Sequence, residues 1–415
     1  MSLDVRTRRA VDVRPRSADE LFDALLPDAC AAHGDLAARG VALLDLPALG
    51  LEVGATAVTL AVTDGRLALR PGTEAAGMVA ELEPEALSDL VQDTASTMGL
   101  ALTARVRITR GDMNDWVGWE PALRALLDGR PVHEPGAVTF TDPDGAPLDL
   151  TRSFTPDHDR DEMAHFVEQA GFLHLREVFT GAEMAVLADD IDHWIDRAEP
   201  DDGDSWWATD EHGTDRAVRV LRFADKSETL RELVADDRFT WIGDLTGDGH
   251  RFSGGAEGLV KPLGIVRGLS DLPWHKDCGQ GRHSFFCSGL TCGISVTGAA
   301  RTSGALGVIP GSHRANTMSA GRDPRLDLAP LLLETRTGDV TVHCSDTLPR
   351  AHPPVARPRK VVYTGFSLPP LPGDVVVGDG GDGRAARAAL SDAQSRIEAA
   401  DNPHSPQRYR AGRGR

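Results

Sequence analysis

The segment TGDVTVHCSDTLPRAHPPVARPRKVVYTGF, residues 337–366, consists of short apolar runs separated by glycine and proline. The same pattern begins near Ala217, and it is typical of an all-β barrel or jelly roll. Ahead of it, residues 161–195 predict two helices with a strand between them, and Gly171 ends the first helix. We therefore predict an all-β C-terminal domain with flanking helices.

The first part of the chain mixes helical and strand patterns. Residues 56–72 (TAVTLAVTDGRLALRPG) predict a β-hairpin that turns at Asp64-Gly65. The remaining predicted elements are helices at 19–33, 83–92 and 119–130 and a strand at 104–112. Together these elements predict a small α+β domain over residues 18–135.

Two segments lack a periodic core pattern. Residues 136–160 are rich in proline, glycine and aspartate, and we interpret them as a linker. They separate the α+β domain from the all-β domain, to which we assign residues 161–370. Residues 371–415 form a C-terminal tail in which GRAARAALSDAQSRIEAA (383–400) predicts one short helix.

Composition limits the class of partner. The 415 residues carry a formal net charge of −19, which disfavours binding to a nucleic-acid backbone. Five cysteines in so long a chain fit a reducing cytoplasm better than a disulfide framework. Because the cysteines fit a reducing compartment and no apolar run approaches the length of a membrane span, we expect a cytoplasmic protein. The sequence does not indicate an oligomeric state.

A histidine and an aspartate stand one residue apart in SDLPWHKDCGQGRHS, residues 270–284. On a strand, His275 and Asp277 would point to the same side and Lys276 outward, which suits two ligands of one metal ion. The spacing alone is weak evidence, because His33 and Asp35 share it. The alternative is a charged turn beside Trp274.

Three motifs downstream of this pair follow in a specific order: SGALGVIPGSHR (303–314), TGDVTVHCSDTL (337–348) and RKVVYTGF (359–366). In this order and spacing, residues of about 160–370 resemble the phytanoyl-CoA dioxygenase family. The resemblance implies a double-stranded β-helix, a cupin-like jelly roll. It also implies an oxygenase that uses iron(II) and the cosubstrate 2-oxoglutarate.

The same resemblance assigns roles to individual residues. His275 and Asp277 occupy the family's two neighbouring iron-ligand positions. Arg359 stands where the family holds the distal carboxylate of 2-oxoglutarate, a task that suits a planar, permanently charged fork. Lys261 is a second candidate for a cosubstrate or substrate carboxylate. The alternative for Arg359 is a surface charge ahead of a strand.

The third ligand position departs from the family. The distal histidine is expected at position 349, where this chain has Pro349, which has no donor atom in its side chain. We take His352 as the replacement, reached by a slip of the loop. His343 would require a sharp turn, Asp346 is a further candidate, and a site with only two ligands stays open.

The N-terminal domain also resembles a known fold. Its motifs DGRLALRPG (64–72), TRGDMNDWVGW (109–119) and ALRALLDGRP (122–131) are similar to the sterol-carrier-protein-like fold. That resemblance implies a module that accommodates a lipid or acyl chain. An accessory packing domain without a ligand is the alternative.

Three functions compete on this basis. An iron(II)- and 2-oxoglutarate-dependent oxygenase that hydroxylates a small or lipid-like molecule is the leading hypothesis. A degenerate, non-catalytic barrel that binds a ligand or a partner is favoured by Pro349. A cupin-like metal barrel without 2-oxoglutarate would leave Arg359 unexplained. The loop predicted at residues 205–216, with Trp206 and Trp207, is a candidate wall of the substrate pocket.

Overall fold

The computed structural model of the protein describes residues 14–368 except 201, 248, 269–271, 273, 279–288, 320–322 and 324. The predicted helix at 383–400 and the rest of the tail lie outside the described residues. Within the described residues, no helix combines the length and the apolar composition that a membrane span needs.

The N-terminal region folds as a five-stranded sheet with helices packed against it. Its sheet order is β3-β2-β1-β4-β5, and β1 pairs in parallel with β4 while the other pairs are antiparallel. The strands are β1 Leu49–Val53, β2 Thr56–Thr63, β3 Arg66–Pro71, β4 Met78–Leu82 and β5 Val106–Arg110. The helices are α1 Ala18–Glu20, a π-helical segment Leu21–Leu25, α2 Leu26–Leu44, α3 Pro84–Val91, α4 Thr97–Leu102, α5 Met113–Gly118 and α6 Glu120–Asp128.

The hairpin and the last helix of this region follow the local sequence signals. Strands β2 and β3 pair from Val58 and Pro71 to Thr63 and Arg66, so the turn falls on Asp64-Gly65 as predicted. Helix α6 ends at Gly129, whose φ of +66° is the left-handed conformation that glycine adopts without steric cost.

Antiparallel strands dominate the C-terminal region, as the sequence pattern predicts. An eight-stranded sheet has the order β10-β7-β8-β9-β16-β11-β14-β6, and a three-stranded sheet has the order β13-β12-β15. The strands are β6 Phe172–Leu175, β7 Ser205–Asp210, β8 Asp215–Val220, β9 Arg251–Lys261, β10 Ile265–Gly268, β11 Leu290–Ser295, β12 Leu306–Ile309, β13 Leu331–Leu333, β14 Val340–Cys344, β15 Leu348–Ala351 and β16 Arg359–Ser367.

Helices flank these sheets. They are α7 Arg160–Ala170, α8 Gly181–Ile195, α9 Phe223–Lys226, α10 Glu228–Ala235 and α11 Asp237–Thr240, with 3-10 turns at Trp241–Thr246, Arg301–Ser303 and Ser312–Arg314. Helix α7 ends at Gly171, with φ +77°, as predicted. The helical segment from 223 to 246 interrupts a region that the sequence analysis treats as strands. Its helices are short, and Leu230, Leu233, Phe239 and Ile242 become buried through contacts with the sheet.

The predicted loop at residues 205–216 is wrong in its structure. These residues form most of the β7–β8 hairpin, and β7 also pairs with β10. Polar and glycine residues (DEHG, 210–213) confine the turn to the hairpin tip, while the two tryptophans lie within β7.

The two faces of the eight-stranded sheet differ in chemistry. One face contributes apolar side chains to the main core, together with residues of α7, α8 and α10: Leu290, Cys292, Ile294, Val340, Val342 and Val362. Because side chains alternate along a strand, the residues between them point to the opposite face. That opposite face holds the candidate site.

Candidate metal centre

The Asp277 carboxylate lies between two imidazoles. His275 Nε2 is 3.0 Å from Asp277 Oδ1, and His343 Nε2 is 3.3 Å from Asp277 Oδ2. Both histidines are buried, with 6% and 2% of their surface exposed, whereas the Asp277 side chain is 31% exposed. Two donors bound at right angles to one ion, each about 2.1 Å from it, lie about 3 Å apart. The observed separations are close to that value.

The sheet register explains how His343 reaches this position. His343 on β14 is the direct partner of Thr291 on β11, so both side chains point to the same face. Thr291 Oγ1 donates a hydrogen bond of 2.7 Å to Asp277 Oδ2. The chain then turns at residues 345–347, where Thr347 N–H donates to Cys344 O at 2.8 Å. This is the sharp turn that the sequence analysis requires for His343.

Pro349 and His275 are neighbours in the backbone. His275 N–H donates to Pro349 O at 3.3 Å, and Ala351 N–H donates to Leu272 O at 3.0 Å. The segment that carries His275 therefore runs beside β15. Position 349 thus lies beside the backbone of His275, but proline has no side-chain donor atom to offer a metal ion there.

His352 makes its described contacts elsewhere. Its ring packs edge-on against Trp274, with centroids 6.3 Å apart, and its backbone carbonyl accepts a hydrogen bond of 2.7 Å from Lys261 Nζ. The imidazole that lies 3.3 Å from Asp277 Oδ2 belongs to His343. The geometry thus favours His343 over the predicted His352 as the third donor. Asp346, the further candidate, is buried.

Electrostatics favour the ionised form of Asp277. Burial opposes ionisation of this carboxyl, but hydrogen bonds from His275 and His343 outweigh that effect and hold its pKa well below the usual range. In the structure, the Asp277 carboxylate is paired with the His275 and His343 imidazoles. Across the part of the chain that the structure describes, no three His, Cys, Asp or Glu side chains are already arranged as a metal-binding group. A bound cation would replace the hydrogen bonds between the carboxylate and the imidazoles, with the donor atoms close to their present separations.

Arg359 carries buried donors on the same side of the eight-stranded sheet. Only 4% of Arg359 is exposed, and its Nε and Nη2 have no hydrogen-bond partner among the described residues. These two nitrogens form one edge of the guanidinium, the edge that binds a carboxylate through two parallel hydrogen bonds. An unpaired buried donor is costly, and this one is also charged. The arrangement therefore fits an anionic ligand.

A second buried cation stands opposite Arg359. Lys261 on β9 is its direct antiparallel partner and is 1% exposed. Like charges directly opposite each other destabilise a sheet unless something compensates them. Lys261 donates to the backbone carbonyl of His352, which links the pair to the segment beside Trp274 and His275.

The same face continues toward β7 with a group that the sequence analysis did not identify as a unit. Arg219 on β8 is the partner of Leu259, two residues from Lys261, and it is also the partner of Trp206 on β7. Arg219 Nη1 donates to Glu257 Oε2 at 2.6 Å, and the guanidinium lies 4.2 Å from the centre of the Trp206 ring. Only strand pairing brings these residues together, although the alternation of β8 and β9 is a local signal for their common face.

Two donors in this group are also unsatisfied. Arg219 Nε and Trp206 Nε1 are buried and lack hydrogen-bond partners within the described ranges. Trp207 differs, because its Nε1 donates to Ser205 Oγ at 2.9 Å. Glu257 already balances the charge of Arg219, so the two free N–H groups fit an uncharged acceptor.

The expectation that Lys276 faces outward is wrong. The residue is fully buried, its Nζ donates to Ala315 O at 3.3 Å and its backbone N–H donates to Ser319 O at 2.8 Å. Burial lowers the pKa of the Lys276 ammonium to about 8, while the negative charges of Asp346, Glu120 and Asp93 act in the opposite direction. The expected strand is also absent, since His275 is an isolated bridge residue and Asp277 lies in a turn, so strand alternation does not set the direction of Lys276.

Comparison with known families supports the resemblance of the C-terminal region. Residues 167–360, just under half of the chain, match the model of the family Phytanoyl-CoA dioxygenase (PhyH). Among curated proteins, none matches the chain significantly. The sterol-carrier-like resemblance of the N-terminal domain stays a prediction.

Several solved structures are distantly similar. AviO1 from Streptomyces viridochromogenes Tue57 is 18% identical, with 52% of this chain and 97% of that chain covered and a TM-score of 0.41. EctD from S. alaskensis with bound Fe is 19% identical, with coverage of 51% and 77% and a TM-score of 0.42. The α-ketoglutarate-dependent carbocyclase SnoK from nogalamycin biosynthesis is 18% identical, with coverage of 52% and 86% and a TM-score of 0.40. Similarity at this level does not transfer a substrate or a reaction to this chain.

Proposed function

We propose that the C-terminal region is a double-stranded β-helix that acts as an iron(II)- and 2-oxoglutarate-dependent oxygenase. The contact of Asp277 with both His275 and His343 is the observation that carries the proposal. Two imidazoles and one carboxylate are the donor set of non-haem iron oxygenases, and they leave coordination positions for cosubstrate and oxygen. His343, from the strand before the expected position, takes the role that Pro349 cannot fill.

Each protein group has a defined task in this proposal. When bound, iron(II) with 2-oxoglutarate supplies the oxidising chemistry that O2 alone lacks toward a C–H bond. Asp277 and the two histidines hold the ion, and Thr291 orients the carboxylate through its hydrogen bond. Arg359 binds the distal carboxylate of 2-oxoglutarate through Nε and Nη2. Lys261 adds a second positive charge beside it.

The substrate is proposed to lie over the remaining part of the same face. Arg219 and Trp206 offer two unsatisfied N–H donors, and Glu257 neutralises the guanidinium. Strands β8 and β16 are two strand spacings apart, which is about 10 Å. We infer an uncharged organic substrate with a carbonyl or hydroxyl oxygen at this end. A polyketide-like or lipid-like molecule of that type fits the inference.

The proposal is tested by cosubstrate turnover without a substrate. The purified full chain is incubated with iron(II), 2-oxoglutarate and O2, and succinate is measured against samples without iron or without O2. Succinate that depends on both supports the oxygenase. The rival, a non-catalytic barrel, predicts 2-oxoglutarate binding at most and no succinate in any sample.

The substrate inference predicts a preference for an oxygen acceptor. We expect the bicyclic ketone 1-tetralone to bind about 5-fold more tightly than its hydrocarbon, tetralin, because one hydrogen bond is worth roughly 1 kcal/mol. Trp206→Phe keeps an aromatic ring but removes the N–H, so it should reduce this preference in a fluorescence titration. Trp207→Phe is the matched control and should retain it. An unchanged preference in Trp206→Phe would contradict the assignment of the donor.

A further inference from the structure

The residue between the two candidate ligands is linked to the N-terminal region. Lys276 is fully buried, and its Nζ donates a hydrogen bond of 3.3 Å to the carbonyl of Ala315. The next residue, Asn316, donates hydrogen bonds to backbone carbonyls of the N-terminal region. Glu120 and Asp93 of that region add negative charge that favours the ammonium form of the lysine. One short segment thus carries both candidate ligands and a lysine that is anchored beside the other domain.

The N-terminal carboxylates belong to a dense buried charge group. Arg124 is completely buried, and it pairs with Glu120 at 3.2 Å, with Asp93 at 3.4 Å and with Asp128 at 3.1 Å. Glu120 also accepts a hydrogen bond of 2.5 Å from Thr97 N–H. Burial raises the pKa of the Glu120 carboxyl, and the positive charge of Arg124 opposes that rise. Lys276 supplies a second cation from across the boundary.

Direct contacts hold the two regions together around this group. Asn316 Nδ2 donates to Pro121 O at 2.9 Å and to Arg130 O at 3.1 Å, and His133 N–H donates to Asn316 O at 3.0 Å. His133 Nε2 also lies 2.9 Å from Asp327 Oδ1. Asn316 and Asp327 of the C-terminal region therefore contact residues of the N-terminal region, and Ala315, whose carbonyl binds Lys276, directly precedes Asn316.

We propose that the N-terminal region is part of the support of the metal centre, with Lys276 as a positioning residue that is held by the Ala315 carbonyl, next to the N-terminal contacts of Asn316, and by the negative charge of Glu120 and Asp93. Because the lysine is fixed on one side of the segment, the backbone of its two neighbours is fixed as well, and their side chains are directed toward His343. This inference rests on the proposed function. It assigns the N-terminal region a structural role at the site that needs no lipid.

The test measures metal affinity in variants that leave all candidate ligands intact. Co(II) serves as the probe, and its visible absorption is titrated with the full chain. We expect Lys276→Met and Glu120→Gln each to weaken Co(II) binding by about 10-fold. Loss of a residue that orients a metal ligand costs about 10- to 100-fold in affinity, and this expectation is the smaller of those values. The double variant should be weakened by less than the product of the two single effects, because both changes break one interaction.

Lys226→Met is the matched control. This lysine is also largely buried and pairs with Asp204 at 3.4 Å, but it lies on α9. It should leave the Co(II) affinity unchanged. If Lys276→Met does not fold, Glu120→Gln keeps the experiment informative. Glutamine has nearly the same shape as glutamate, and position 120 lies in the N-terminal region, away from the candidate ligands.

Two failures can be told apart. Wild-type Co(II) affinity in folded Lys276→Met and Glu120→Gln would overturn the positioning role while the proposed function stands. Absence of Co(II) binding by the unaltered chain would remove the proposed metal centre and the positioning role with it. Equal weakening by Lys226→Met would also overturn the inference, because the effect would then reflect general destabilisation.

Discussion

Replacing His343 by alanine is expected to abolish succinate formation and to weaken metal binding by at least about 100-fold. The change removes one of the two imidazoles that contact Asp277. Even residues that only orient a ligand cost 10- to 100-fold in affinity, so the loss of a ligand should cost more. Co(II) titration measures the affinity, and turnover of 2-oxoglutarate with iron(II) measures the activity.

His352→Ala is the control for this experiment. His352 was the replacement that the sequence suggested, but its ring packs against Trp274. We expect His352→Ala to retain Co(II) binding within a few-fold of the unaltered chain. The opposite outcome, in which His352→Ala loses the metal and His343→Ala keeps it, would restore the slipped-loop hypothesis.

Introducing a histidine with Pro349→His also tests whether His343 is the third metal ligand. Position 349 lies beside His275, since the two are joined by a backbone hydrogen bond. A histidine introduced there in the His343→Ala background should recover part of the metal affinity. If Pro349→His alone gains activity that the unaltered chain lacks, the non-catalytic barrel is the better description of the natural protein.

Replacing Arg359 by leucine is expected to raise the KM for 2-oxoglutarate by about 100-fold. Two charge-assisted hydrogen bonds from Nε and Nη2 to one carboxylate would be lost, and each is worth roughly 1.5 kcal/mol or more. Arg359→Lys keeps the charge but loses the fork, so it should fall between the leucine variant and the unaltered chain. The measurement is succinate formation over a range of 2-oxoglutarate concentrations.

Stability provides a second readout of Arg359. A ligand present at 100 times its Kd stabilises a protein by about 2.7 kcal/mol, so 2-oxoglutarate should raise the unfolding midpoint of the unaltered chain and not that of Arg359→Leu. Without ligand, the leucine variant should be no less stable, because a buried cation with two unsatisfied donors is removed. Marked destabilisation of Arg359→Leu without 2-oxoglutarate would indicate that the guanidinium is a structural group.

Local signals account for the elements that the sequence predicted well. The Asp64-Gly65 turn and the helix ends at Gly129 and Gly171 depend on the conformations that single residues prefer. The pairing of His275 with Asp277 in one site likewise depends on a spacing of two residues along the backbone. Such features need no knowledge of distant segments.

Other features were decided by which segments meet. The sequence favours His352 over His343, whereas the pairing of β14 with β11 brings the His343 ring to Asp277. Strand alternation predicted that Lys276 faces outward, but residues 275–277 do not form a strand and the lysine is fully buried.

The sequence by itself therefore determined the mostly antiparallel C-terminal region, the candidate pair His275 and Asp277, and the candidate anion site at Arg359. Tertiary structure alone decided the contact of His343 with Asp277, the face shared by Arg219 and Trp206, and the burial of Lys276. The physical reason is that side-chain alternation and turn conformation are set by neighbouring residues. Strand register and domain contact are instead set by the free energy of burying surfaces from distant parts of the chain.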